Sequence, residues 1–107
     1  MVQRAQDDPT LRRFKSALAA LYGARLERAV LFGSRARGDA RPDSDYDIAV
    51  FLKDMPPGMR EHYRLADLGT EFLDETGVMF EAWPLPANSF DARTPLMHEI
   101  RKDGIEF

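Results

Sequence analysis

Apolar residues recur at spacings of three and four through Leu11, Phe14, Leu18 and Leu21, which predicts an amphipathic helix. Asp7 or Asp8 can cap it, Pro9 suits its first turn and Gly23 can stop it. Arg28 to Phe32 is then a short apolar run ending at Gly33, the pattern of a buried strand. Residues 33–44, GSRARGDARPDS, break the apolar pattern and predict a loop, with a helical turn beginning near Ser34. Asp45 to Leu52 follows, rich in β-branched and aromatic side chains, and predicts a second strand. From Met59 to Thr76 the period is helical again. Met59, Tyr63, Ala66, Gly69 or Thr70, and Leu73 form one stripe, which Leu65, Leu68 and Phe72 widen, and Gly77 ends the run. A third strand is predicted from Val78 to Trp83 or Leu85. Pro84, Pro86 and Pro95 bracket an irregular connection, and Pro95 to Lys102 makes a last short helix before Gly104 to Phe107. This order predicts an α/β (α+β) domain, a small mixed sheet flanked by helices.

The 107 residues are room for one domain spanning 1–107, and 44% apolar residues supply it with a single core. Fifteen basic against eighteen acidic residues give a net charge of −3, so the chain does not have the basic balance of a nucleic-acid coat. With no cysteine, disulfides, thiolate zinc sites and cysteine nucleophiles are excluded, and His62 and His98 cannot build a histidine cage by themselves. No apolar run approaches membrane length, and the start MVQRAQDD lacks the apolar stretch of a signal peptide. The expectation is a cytoplasmic protein with no membrane contact and no direct nucleic-acid binding.

The chemistry concentrates between Gly33 and Val50. Asp45 and Asp47 stand two apart in a predicted strand, so both project from one face. Paired like charges repel, whereas a divalent cation with hard oxygen ligands offsets both. An exposed polar strand end is the bland alternative. The loop before it weighs against that alternative. Gly33 lets backbone approach a phosphate, Ser34 can donate a hydroxyl, and Arg35, Arg37 and Arg41 gather positive charge in an acidic chain. Gly38 suits a left-handed turn, and Ser44 sits at the entry to the aspartate strand. Tyr46 alternates away from the aspartates and is expected inside.

The run Gly33-Ser34-Arg35-Ala36-Arg37-Gly38 followed by Ser44-Asp45-Tyr46-Asp47-Ile48-Ala49-Val50 resembles the signature of the DNA polymerase β-like nucleotidyltransferase superfamily. The length and the ending Glu99-Ile100-Arg101-Lys102-Asp103-Gly104-Ile105 resemble its minimal nucleotidyltransferases, the MNT group. The resemblance implies that Asp45 and Asp47 hold one or two Mg²⁺ ions (Mn²⁺ being an alternative) and that ATP is the co-substrate. Gly33, Ser34, Arg35, Arg37 and Ser44 are then nucleotide- and phosphate-binding. A third carboxylate, commonly aspartate in the family, falls on Glu81 of the following strand, one methylene longer here. Glu71, Asp74 and Glu75 are expected on a solvated face, and Trp83 in the core or an interface.

Larger members of the superfamily carry a further helical domain for the acceptor, and 107 residues leave no room for one. The MNT resemblance implies a second protein instead, a helical HEPN-type toxin whose tyrosine receives AMP and for which this chain is the antitoxin. Two other readings stand beside it: neutralisation by binding alone, and a two-chain transferase acting on a small molecule such as an aminoglycoside. A homo-oligomer stays open.

Overall fold

Asp8 starts the first helix by accepting hydrogen bonds from the Thr10 and Leu11 amides, 2.9 and 3.4 Å long. The computed structural model describes residues 7–107; residues 1–6, part of the start read above as lacking a signal peptide, lie outside them. Helix α1 runs Pro9–Tyr22 and buries Leu11, Phe14, Leu18 and Tyr22. Its last apolar contact is therefore Tyr22, while Leu21 turns outward.

Strand β1 (Leu26–Phe32) leads into a four-residue helix α2 (Ser34–Arg37), and β2 (Tyr46–Leu52) follows the loop. Helix α3 (Arg60–Thr76) crosses back to β3 (Phe80–Pro86). A short 3₁₀ turn (Ala87–Asp91), α4 (Pro95–Asp103) and a two-residue β4 (Ile105–Glu106) complete the chain. The sheet order is β3-β2-β1-β4, with β2 and β3 parallel and β1 antiparallel to both β2 and β4. This is the predicted mixed sheet flanked by helices.

Residues Ile48 to Leu52 of β2 are all essentially buried, since this central strand is covered on both faces. On one face Phe14 stacks on Phe80 with centroids 4.2 Å apart, and Phe72 meets both rings edge-on. Ile48, Val50 and Leu65 fill the same layer. On the other face Ala49 and Phe51 pack under Met97 and Ile100 of α4. Burying a side chain the size of Phe51 is worth about 2–3 kcal/mol, so each layer helps fix the strand positions.

Two expectations need correction. The β3 strand runs Phe80–Pro86, so it starts after the predicted Val78, passes the longer predicted end at Leu85 and takes in two of the prolines read as bracketing an irregular connection. As an edge strand it tolerates prolines whose missing N–H would face outward. In α3 the buried side is Glu61, Leu65, Gly69 and Phe72, whereas Met59, Tyr63, Ala66, Thr70 and Leu73 of the predicted stripe are exposed. The sheet accepts only half of an apolar surface that is wider than the core requires.

Candidate active site

Three strands bring the predicted residues together at one end of the sheet. Asp47 of β2 pairs with Phe32 of β1 on one side and with Glu81 of β3 on the other. Gly33 directly follows Phe32, so the loop begins beside Asp47. Asp45 precedes β2 by one residue and shares the side of Asp47. Tyr46 turns the opposite way, packs 4.7 Å from the Phe80 ring and donates its hydroxyl proton to Asp8 at 2.7 Å.

Burial pushes the Asp47 carboxyl up to about 6, helped by the charge of Glu81, a hydrogen bond with it, and further charge from Asp45 and Glu99. Three acidic groups, Glu81, Asp45 and Glu99, therefore act on Asp47. Glu99 is the member that sequence reading did not single out as a site residue. It comes from α4, and only the packing of that helix across the sheet brings it near. Its Oε1 lies 3.6 Å from Arg37.

Gly33 touches this cluster through its backbone. Its φ of +73° suits glycine, and a Cβ there would sit 2.5 Å from Asp47 Oδ2. Gly33 caps α2 with no side-chain hydrogen bond to the first amides of that turn. Ser34 opens the turn, and Gly38 closes it in the predicted left-handed conformation.

The arginines divide their work. Arg35 donates from Nε and Nη2 to the Ser44 carbonyl at 3.0 and 2.7 Å and lies 4.1 Å over the Tyr46 ring. In this state it holds the loop that delivers Asp45. Ser44 accepts the Arg41 amide at 2.8 Å, closing the same turn. Arg37 is more exposed and lies 3.3 Å from Asp39, as well as near Glu99. It is the loop cation better placed to exchange partners.

Asp45, Asp47 and Glu81 are hard oxygen donors, and the excess negative charge at Asp47 is what a divalent cation would offset. Among the described residues no three acidic or histidine side chains stand ready to hold an ion as they are. Asp47 and Glu81 instead stand as direct register partners across the strand pair.

A model of the nucleotidyltransferase domain matches residues 11–94, a stretch that holds the Gly33 loop, both aspartates and Glu81. The chain belongs to that family. This nucleotidyltransferase is 31% identical over 96 residues to a Methanocaldococcus jannaschii protein named "Putative protein adenylyltransferase MJ0141", covering 90% of this chain and 93% of that one. A second protein of that organism, "Putative protein adenylyltransferase MJ0604", is 33% identical over 76 residues, 71% of this chain and 70% of the other. In fold it is similar to a chain of a toxin–antitoxin crystal structure with AMP-PNP, at a TM-score of 0.63 and 20% identity, covering 92% and 71% of the two chains. A mutant MntA–HpeT toxin–antitoxin structure gives 0.61 and 19% identity, covering 88% and 69%. Among the described residues no helix is long and apolar enough to cross a membrane.

Proposed function

We propose that this nucleotidyltransferase moves AMP from ATP onto a tyrosine hydroxyl of a helical, HEPN-type partner toxin and so acts as its antitoxin in the cytoplasm. The observation that carries the reading is the in-register Asp47–Glu81 pair with the Gly33 backbone pressed against Asp47. Asp45, Asp47 and Glu81 would hold Mg²⁺ or Mn²⁺. The bound cation would supply charge neutralisation on the triphosphate and on the developing transition state.

The chain's own residues do the positioning. Gly33, Ser34 and the first amides of α2 cradle the phosphates, and Arg37 leaves Glu99 for a phosphate oxygen. Arg35 and Ser44 hold the turn that sets Asp45. Glu81, on the open edge strand, faces the attacking hydroxyl and takes its proton. A new bond forms from the acceptor oxygen to the α-phosphorus, the bond to the β-phosphate oxygen breaks, and pyrophosphate leaves.

Two comparisons support this reading. The two relatives carry protein adenylyltransferase names, and the fold neighbours are toxin–antitoxin complexes, one with an ATP analogue. One neighbour is a variant in which two aspartates two positions apart became glutamates, the spacing of Asp45 and Asp47.

The test is incubation with α-labelled ATP, Mg²⁺ and the partner toxin, followed by weighing both chains. One AMP on the partner, lost together with neutralisation in the Asp45→Asn/Asp47→Asn variant, is the expected result. Neutralisation that survives without transfer, or label found on a small molecule, would overturn it.

A further inference from the structure

The α3 residues predicted to be core and found outside are not scattered. Taking 100° per residue, α3 divides into three sectors. Glu61, Leu65 and Phe72 face the sheet, and Asp67, Glu71 and Asp74 form an exposed acidic flank with Arg60 at the helix start. Between them run Met59, Tyr63, Ala66, Thr70 and Leu73. Of the six exposed large apolar side chains among the described residues, three lie on this sector (Met59, Tyr63, Leu73) and two, Met79 and Trp83, on the facing strand region. Only Leu21 lies elsewhere.

Between the helix and the strand lies a groove of about 500 Å³. Leu73 and Thr70 line it from α3, Met79, Ala82 and Trp83 from the strand side, and Glu81 belongs to its wall. Glu81 is the one residue of the carboxylate set on this wall, at the strand edge, and its side chain shares the Asp47 face of the sheet. His62 also lines it, and its Nδ1 is buried without a hydrogen-bond partner among the described residues.

Among the described residues β3 is an outer strand of the sheet along the same stretch. The Tyr46 amide donates to the Met79 carbonyl, so alternation turns the backbone of Phe80, Ala82, Pro84 and Pro86 away from β2. The two prolines have no N–H and block the far half of that edge. At Phe80 the outward carbonyl is met by Gly69 of α3, which leaves Ala82, beside Glu81, as the unblocked position.

We propose that this groove docks the acceptor: an extended segment of the partner protein with apolar side chains around its tyrosine and basic residues flanking them. The idea rests on the adenylyl-transfer reading above and adds where the acceptor lies. Glu81 on the groove wall brings the segment to the strand edge beside the carboxylates, so that its tyrosine can reach round that edge. The exposed apolar sector takes its side chains, and Asp67, Glu71 and Asp74 favour a cationic flank over an acidic one.

Trp83 is the single tryptophan of the chain and is 47% exposed, so its emission reports docking independently of catalysis. The probe is a short synthetic peptide with tyrosine between valines and lysines at both ends, beside a version with glutamates in place of the lysines. Titrating the lysine peptide should move Trp83 emission to the blue and saturate, and the glutamate peptide should not. Thr70→Arg and Leu73→Glu should each weaken the titration about tenfold, a change worth about 1.4 kcal/mol, while Leu21→Glu leaves it unchanged. Absence of any shift, equal binding of both peptides, or titrations unaffected by the groove variants would overturn the proposal. Emission that instead changes with protein concentration, together with a dimer lost in Leu73→Glu, would assign the groove to a second copy and also overturn it. A saturating shift without transfer of label from α-labelled ATP would sink the catalytic reading and leave the docking site standing.

Discussion

Asp47 and Glu81 are direct partners across the parallel β2–β3 ladder, two acids held side by side at one end of the sheet. Burial, and then the charge of Glu81, hold the Asp47 carboxyl at about 6 against an ordinary value of 3.8. A folded-state value above the unfolded one favours the protonated form in the fold. Stability from this group is complete at low pH and is lost as pH rises from about 4 through 6. In chelator, Asp47→Asn should therefore match wild type in thermal melts near pH 4 and melt a few degrees above it at pH 7. A gap that narrows with rising pH would contradict the direction of the shift.

Gly33 is the second point of close approach. Alanine there must adopt a φ of +73° and place its methyl against Asp47 Oδ2. Gly33→Ala should cost about 1–2 kcal/mol in denaturant unfolding from the backbone alone. Transfer should fall at least as far as in Asp47→Asn, because the methyl displaces the same carboxylate.

Arg35 and Arg37 should separate in their effects. Arg35→Lys cannot reproduce the forked donation to Ser44 or the stacking on Tyr46 and should lose about 1–2 kcal/mol of stability, with kcat falling as Asp45 shifts. Arg37→Ala should leave unfolding within about 0.5 kcal/mol of wild type, since its ion pairs are exposed, and should raise KM for ATP. Steady-state kinetics beside urea titrations distinguish the two outcomes.

Glu61 is essentially fully buried near the start of α3, 2.8 Å from Arg25 and 3.4 Å from Arg64. Removing Arg25 strands part of that charge. Arg25→Met should cost about 3 kcal/mol in denaturant unfolding, and Arg25→Met with Glu61→Leu should recover most of it. If the double variant is no better than the single, the cost lies in packing and not in charge.

Much of this was legible in the chain. The Gly33–Val50 segment carries its chemistry in local spacing, and the strand that holds Glu81 follows a helix with a clear period. What could not be read depends on contacts between distant segments. Glu99 joins the cluster only because α4 crosses the sheet, and β4 exists only because Ile105 finds Leu31. The Arg35 guanidinium turns to the Ser44 carbonyl nine residues on, which composition cannot distinguish from a phosphate contact. The α3 stripe misled for a physical reason. Periodicity reports an apolar face without saying what covers it, and half of that face lies outside the core.

Asp45, Asp47 and Glu81 with the Gly33 loop are proposed to form a cation-dependent nucleotide site. Calorimetric titration with a non-hydrolysable ATP analogue, with Mg²⁺ and then with chelator, tests it without needing the acceptor. Saturable binding with Mg²⁺ that is lost in chelator and in Asp45→Asn/Asp47→Asn is the expected result. Binding of equal strength under all three conditions would contradict it.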